Sequence, residues 1–137
     1  MIALANQYDL QLEQFDVTGA YLHGELEEEV YMGIPDGMAV DPKLGNALRL
    51  DKGLYGLKQG ARQWNLKFVE IIDQFNFKPL RTDICLFVHR DPDQFALILL
   101  YVDDILIASK SKDLVDRVKK GLSEKILIKS LGAISHF

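Results

Sequence analysis

The segment Phe95-Ala96-Leu97-Ile98-Leu99-Leu100-Tyr101-Val102-Asp103-Asp104-Ile105-Leu106-Ile107-Ala108 decides the fold class. Eight apolar or aromatic residues run into two adjacent acids, and four more apolar residues follow at once. This pattern predicts a tight β-hairpin with Asp103-Asp104 as its turn. Strands this apolar are expected to be buried on both faces. Neighbouring carboxylates repel each other, so folding alone gives little reason to place them at the tip. A cation offsets that repulsion, and a divalent metal does so most directly. The hairpin therefore points to metal-assisted chemistry.

Outward from the hairpin, the chain alternates between strand and helix patterns. Residues 2–9 are weakly helical. Gln11 to Val17 alternates as a strand, and Thr18 to Leu26 reads as a compact turn or short helix. Val30-Tyr31-Met32 and Ala47–Leu50 predict short strands on either side of a Pro/Gly loop from Ile34 to Asn46. Between Gly60 and Phe75 the residues Ala61, Trp64, Phe68, Ile71, Ile72 and Phe75 share one helical face. Ile84–His89 predicts a strand and Asp91–Gln94 a turn. Ser111 can cap a helix from Lys112 to Leu122 that turns Leu114, Val115, Val118 and Leu122 inward. Ile126–Ile128 predicts a last strand. Strand, helix, two strands, helix, strand is the order of a ferredoxin-like α+β sheet, mainly antiparallel and packed on helices.

In that topology the first strand can lie beside the hairpin. Asp16, near the end of the first strand, then approaches Asp103 and Asp104 at one edge. Three hard oxygen donors suit Mg²⁺, which takes its remaining ligands from water and substrate phosphates. Two such ions about 3.5–4 Å apart can activate an attacking hydroxyl and stabilise a leaving pyrophosphate. The chemistry implied is phosphoryl or nucleotidyl transfer.

Composition sets bounds on this reading. At 137 residues the chain is about one domain long, and 48% hydrophobic with 26% charged residues is ordinary for a folded domain. The net charge of −4 hides an asymmetry: residues 1–51 hold ten acids and two bases, residues 52–137 ten acids and fourteen bases. A basic second half is compatible with a polyanionic partner. No apolar run approaches the roughly 20 residues of a membrane span, and Met1–Ala5 lacks the basic flank of a signal peptide. The single cysteine, Cys85, excludes an internal disulfide, fits a reducing compartment and reads as a core thiol. His23, His89 and His136 are far apart, and no zinc spacing occurs. Trp64 reads as core, and the basic residues from Lys110 to Lys120 as a solvated helix face.

The residues also carry a family resemblance. Tyr101-Val102-Asp103-Asp104 resembles the catalytic motif of reverse transcriptases, and the flanking blocks resemble those of copia-type LTR retrotransposons. These blocks are Phe15-Asp16-Val17, Ala20-Tyr21-Leu22-His23-Gly24, Glu25–Met32, Leu54–Gln59 with Arg62-Gln63-Trp64, and Lys129–Gly132. In the right order, they cover essentially the whole chain.

The resemblance implies a polymerase palm with partial fingers, a single domain over 1–137 with most of the fingers and the thumb absent, so the isolated chain is expected to have little or no processive activity. It implies Asp16, Asp103 and Asp104 as catalytic, metal-binding carboxylates for two Mg²⁺ ions, for which Mn²⁺ could substitute, with Val17 as a further metal ligand through its carbonyl. It places Tyr21 under the incoming sugar, Gln59 and Lys58 at the nucleotide, Tyr101 at the template–primer end, and Lys129 as a general-acid candidate. The implied partners are an RNA or DNA template with primer and dNTPs, with no membrane; if the polyprotein is expressed intact they include the integrase and RNase H of Pol, and if the element is active the location is a cytoplasmic virus-like particle. Thr18-Gly19 and Gly60-Ala61 depart from the family's usual Lys-Thr and Ala-Pro, and both glycines are expected to loosen backbone beside the site. The expected alternative is a transposon remnant acting at most as a structural or interaction module. A nucleotidyl cyclase would also use a palm, but leaves the flanking blocks unexplained.

Overall fold

Alternating residues build the sheet from the centre outward. In the computed structural model, which describes residues 1–137 except Pro42, Leu44, Pro92 and 135–137, strand β1 spans Gln11–Val17. Phe15 and Val17 enter the main core on one face, and Leu12 joins a smaller cluster on the other. A short helix α1 (Ile2–Gln7) precedes it and contributes Ala5 to that second cluster. After β1 come a 3₁₀ helix (Ala20–His23) and a two-stranded ribbon of β2 (Glu25–Gly33) and β3 (Ala47–Lys52).

Helix α2 (Lys58–Asp73) is followed by β4 (Phe77–Pro79), β5 (Leu86–His89), β6 (Ala96–Tyr101) and β7 (Asp104–Ser109). Helix α3 (Lys112–Ser123) and strand β8 (Ile128–Ala133) complete the described elements. The main sheet runs β4-β5-β6-β7-β1-β8, antiparallel throughout. Its last four strands, β6-β7-β1-β8, have the ferredoxin-like order inferred from the sequence, with β5 and β4 added beyond β6. The expected α+β architecture is therefore present.

Both helices cover one face. Trp64, Phe68, Ile71 and Ile72 of α2 meet Leu114, Val115, Val118 and Leu122 of α3 over Phe15, Ile98, Leu100, Ile105 and Ile107. Each such side chain contributes about 1.5–3 kcal/mol by leaving water. The other face carries Leu97 and Ala108, covered partly by α1. The hairpin strands are thus apolar on both faces because both faces find a cover. Ser111 caps α3 as expected, its hydroxyl accepting the Leu114 N–H at 3.2 Å.

Several boundaries move. α2 begins at Lys58 rather than Gly60, so Lys58 and Gln59 lie in its first turn. Gly60 is buried there, and a Cβ at this position would come within 3.0 Å of the Leu54 carbonyl oxygen. Far from loosening the backbone, Gly60 permits close packing. Gly19 likewise has a defined role, at φ 65 as N-cap of the 3₁₀ helix, a conformation glycine adopts without penalty. The last strand starts at Ile128 rather than Ile126: Ile126 is buried before the sheet is reached, and pairing begins with Val17 opposite Ile128. Ile84 and Cys85 lie outside β5, and Cys85 is half-buried rather than a core thiol. Burial and then the charge of Asp83 raise its pKa, which keeps it a thiol. His136 lies outside the described residues.

Candidate active site

The register of the hairpin fixes the acids. Leu100 pairs with Ile105, both in the core, so the last pair before the loop is Tyr101 with Asp104. The two-residue loop is therefore Val102-Asp103, one position earlier than the sequence suggested, and Asp104 is the first residue of β7. Val102 adopts φ 56, a costly conformation for a β-branched residue. Two contacts hold the loop. The Trp64 indole N–H donates to the Val102 carbonyl at 2.6 Å, and the Val17 N–H donates to the Asp103 carbonyl at 2.7 Å.

β1 lies beside β7, with Asp16 directly opposite Asp104. Side chains of such a pair point to the same face, so two like charges meet there, an arrangement that opposes folding. On the other side of β1, Lys129 stands opposite Asp16 in β8. Asp104 accepts a hydrogen bond from the Gln14 amide at 3.1 Å, and Asp103 accepts one from the Tyr55 hydroxyl at 3.4 Å. Both donors are neutral. Among the described residues no ion pair involves Asp16, Asp103 or Asp104.

Tyr21, in the 3₁₀ helix, packs against Tyr55 with ring centroids 4.4 Å apart. Tyr55 connects Tyr21 to Asp103. Partial desolvation first, then the charge of Asp103 and its hydrogen bond, raise the Tyr55 pKa and keep the hydroxyl protonated. Tyr101 projects next to Asp104 and is 73% exposed. Gln59 is turned to the ribbon, its amide donating to Glu28 at 3.1 Å, and Lys58 is exposed.

Asp16, Asp103 and Asp104 thus share one end of the sheet with Tyr21 and Tyr101, while Gln59 points elsewhere. Among the described residues, however, no three His, Cys, Asp or Glu side chains are arranged to hold a metal ion. The Asp103 and Asp104 carboxylates turn to Tyr55 and Gln14 respectively. The donor set still suits a divalent cation: hard oxygens, no ion pair to the acids among the described residues, and neutral hydrogen-bond donors. Neither Tyr55 nor Gln14 stands out in the sequence as a separate site residue. Gln14 was detectable as the residue two before Asp16, hence on its face of β1; Tyr55 had no such signal, because its contact depends on how the β3–α2 connection folds back. Trp64 is core, as expected, but also a hydrogen-bond donor to the hairpin.

A ferredoxin-like antiparallel sheet with acids at the tip of its central hairpin defines a palm-like α+β domain. The chain belongs to the reverse transcriptase (RNA-dependent DNA polymerase) family, whose model matches residues 1–137. It is 42% identical over 133 residues to the retrovirus-related Pol polyprotein from transposon TNT 1-94 of Nicotiana tabacum, covering 96% of this chain and 10% of that protein. The Pol polyprotein from transposon RE1 of Arabidopsis thaliana is 32% identical over 126 residues, covering 92% of this chain and 9% of its own length. The transposon Ty1-NL2 Gag-Pol polyprotein of Saccharomyces cerevisiae is 32% identical over 131 residues, with 92% and 7% covered. The resemblance to copia-type retrotransposon reverse transcriptases is borne out. The chain spans about a tenth or less of the length of these relatives. Among the described residues no helix is long and apolar enough to cross a membrane.

Proposed function

We propose that residues 1–137 form the palm of an RNA-directed DNA polymerase that adds dNTPs to a primer 3′-hydroxyl on an RNA or DNA template. The observation that carries this is Asp16 facing Asp104, with Asp103 next to it in the turn and neutral donors on Asp103 and Asp104. Like charges on facing strand positions favour binding of a cation. Asp16, Asp103 and Asp104, with the Val17 carbonyl, would hold two Mg²⁺ ions, or Mn²⁺ in their place. Bound divalent cations supply Lewis-acid activation of the attacking hydroxyl and charge stabilisation for departing pyrophosphate.

The chain's own residues bind and orient. Tyr21, propped by Tyr55, excludes a ribose 2′-hydroxyl, and the exposed Tyr101 meets the primer–template end. Lys129, in register with Asp16, donates a proton to pyrophosphate. Gln59 and Lys58 contact the nucleotide once Gln59 leaves Glu28. The wider setting is a Pol polyprotein with integrase and RNase H, acting in cytoplasmic virus-like particles; positioning of the duplex falls to other parts of that polyprotein.

A second reading, a transposon-derived module without catalysis, is favoured by one observation: the three carboxylates do not form a ready metal site among the described residues. Mn²⁺ binding followed by electron paramagnetic resonance separates the two. The polymerase reading expects saturable binding that Asp16→Asn and Asp104→Asn each weaken by at least about tenfold; binding indifferent to both substitutions favours the module.

A further inference from the structure

Two neutral side chains, Gln14 and Tyr55, donate to the hairpin carboxylates, and a third, Trp64, donates to the hairpin backbone. The Trp64 indole is 2% exposed, and its N–H meets the Val102 carbonyl at 2.6 Å. Val102 is the loop residue at φ 56, with no glycine or asparagine to make that conformation easy. An indole N–H buried without a partner is costly, so the ring and the strained carbonyl stabilise each other. The next carbonyl, that of Asp103, accepts the Val17 N–H and ties the loop to the strand carrying Asp16.

We propose that Trp64 is a positioning residue: it holds Val102 in the left-handed conformation, thereby fixing Asp103 relative to Asp16 and Asp104. The proposal rests on the polymerase-palm reading only for its consequence, the cation affinity of the acids. The clamp itself stands on the loop geometry. Without the indole donor, a β-branched residue leaves φ 56 and the Asp103 carbonyl withdraws from Val17. A glycine at position 102 has no such preference and keeps the turn unaided.

Amide hydrogen exchange on the full chain tests the clamp directly. In Trp64→Phe, which keeps an aromatic ring in the core, protection of the Val17 amide should fall at least about tenfold more than that of Ile98 or Ile107. The double variant Trp64→Phe/Val102→Gly should recover it. Mn²⁺ affinity should fall and recover in parallel. A role as core filler alone predicts loss of protection across the sheet and no recovery with glycine; that result, or an unchanged Val17 amide, overturns the proposal. Should Trp64→Phe fail to fold, the unsubstituted chain decides. Its single indole N–H should exchange as slowly as the Val17 amide, and exchange at the rate of an exposed indole overturns the clamp. Absence of Mn²⁺ binding by the unsubstituted chain counts against the palm reading and leaves the exchange result to judge the clamp.

Discussion

Tyr55 illustrates how a single residue links the nucleotide side of the site to the acids. Its ring packs at a tilt against Tyr21 and its hydroxyl donates to Asp103. With the folded-state pKa raised, its contribution to stability is present in full below the unfolded value and is lost as pH rises through the folded value. The contact is therefore intact at neutral pH and fails only in alkali, above the ordinary tyrosine value of about 10. Ultraviolet titration of tyrosinate should show one component above that value, absent in Tyr55→Phe. If the missing component instead titrates at or below 10, the Tyr55–Asp103 contact is not made in solution. The sequence assigns Tyr55 no role, because an exposed aromatic in a Gly-containing loop has no periodicity to read. Asp103 and Asp104 were legible because acids between two apolar runs violate a folding preference.

At the scale of elements, glycines set how closely the 3₁₀ helix approaches α2. A Cβ on Gly24 would lie 2.7 Å from the Gln63 carbonyl carbon and the Trp64 nitrogen, both backbone atoms that cannot swing aside. Gly24→Ala should therefore force the segment carrying Tyr21 away from α2 and cost about 1–3 kcal/mol, the usual price of overpacking. Urea denaturation measures this; a loss below about 0.5 kcal/mol, the range of ordinary surface changes, would mean the two backbones are not in contact. Helix faces were readable from their spacing: all four inward residues expected of α3 are buried. Boundaries were less so. The apolar spacing starts the helix at Gly60, yet α2 begins two residues earlier, and the Leu54 carbonyl occupies the space a side chain at position 60 would need. β4 was invisible, since Phe77-Lys78-Pro79 is too short to alternate and is a strand only through pairing with β5. The ends of β8 moved because pairing with β1, a long-range fact, decides where that strand begins.

For the whole molecule, the topology was legible because the order of strands and helices admits few sheets, and β1 beside β7 follows from the ferredoxin-like arrangement. What the order of elements does not specify is side-chain direction at the sheet end. Asp16 and Asp104 face each other as inferred, yet Asp103 turns to Tyr55 and Asp104 to Gln14. On the proposed polymerase reading, the three carboxylates would turn to the cations by side-chain rotation at half-exposed positions, from strands already in register. The sheet thus supplies the facing of Asp16 and Asp104, and the hydrogen bonds to Tyr55 and Gln14 set the present orientation of the Asp103 and Asp104 carboxylates. The decisive measurement is Mg²⁺-dependent incorporation of dTTP on oligo(dT)-primed poly(rA) by a Pol protein carrying these residues, with Asp104→Asn alongside. Nucleotidyl transfer at this hairpin predicts that the substitution lowers incorporation by more than about a hundredfold, beyond what loss of an outer-shell partner costs. Incorporation that persists at the unsubstituted level would remove the Asp16–Asp104 pair from the chemistry.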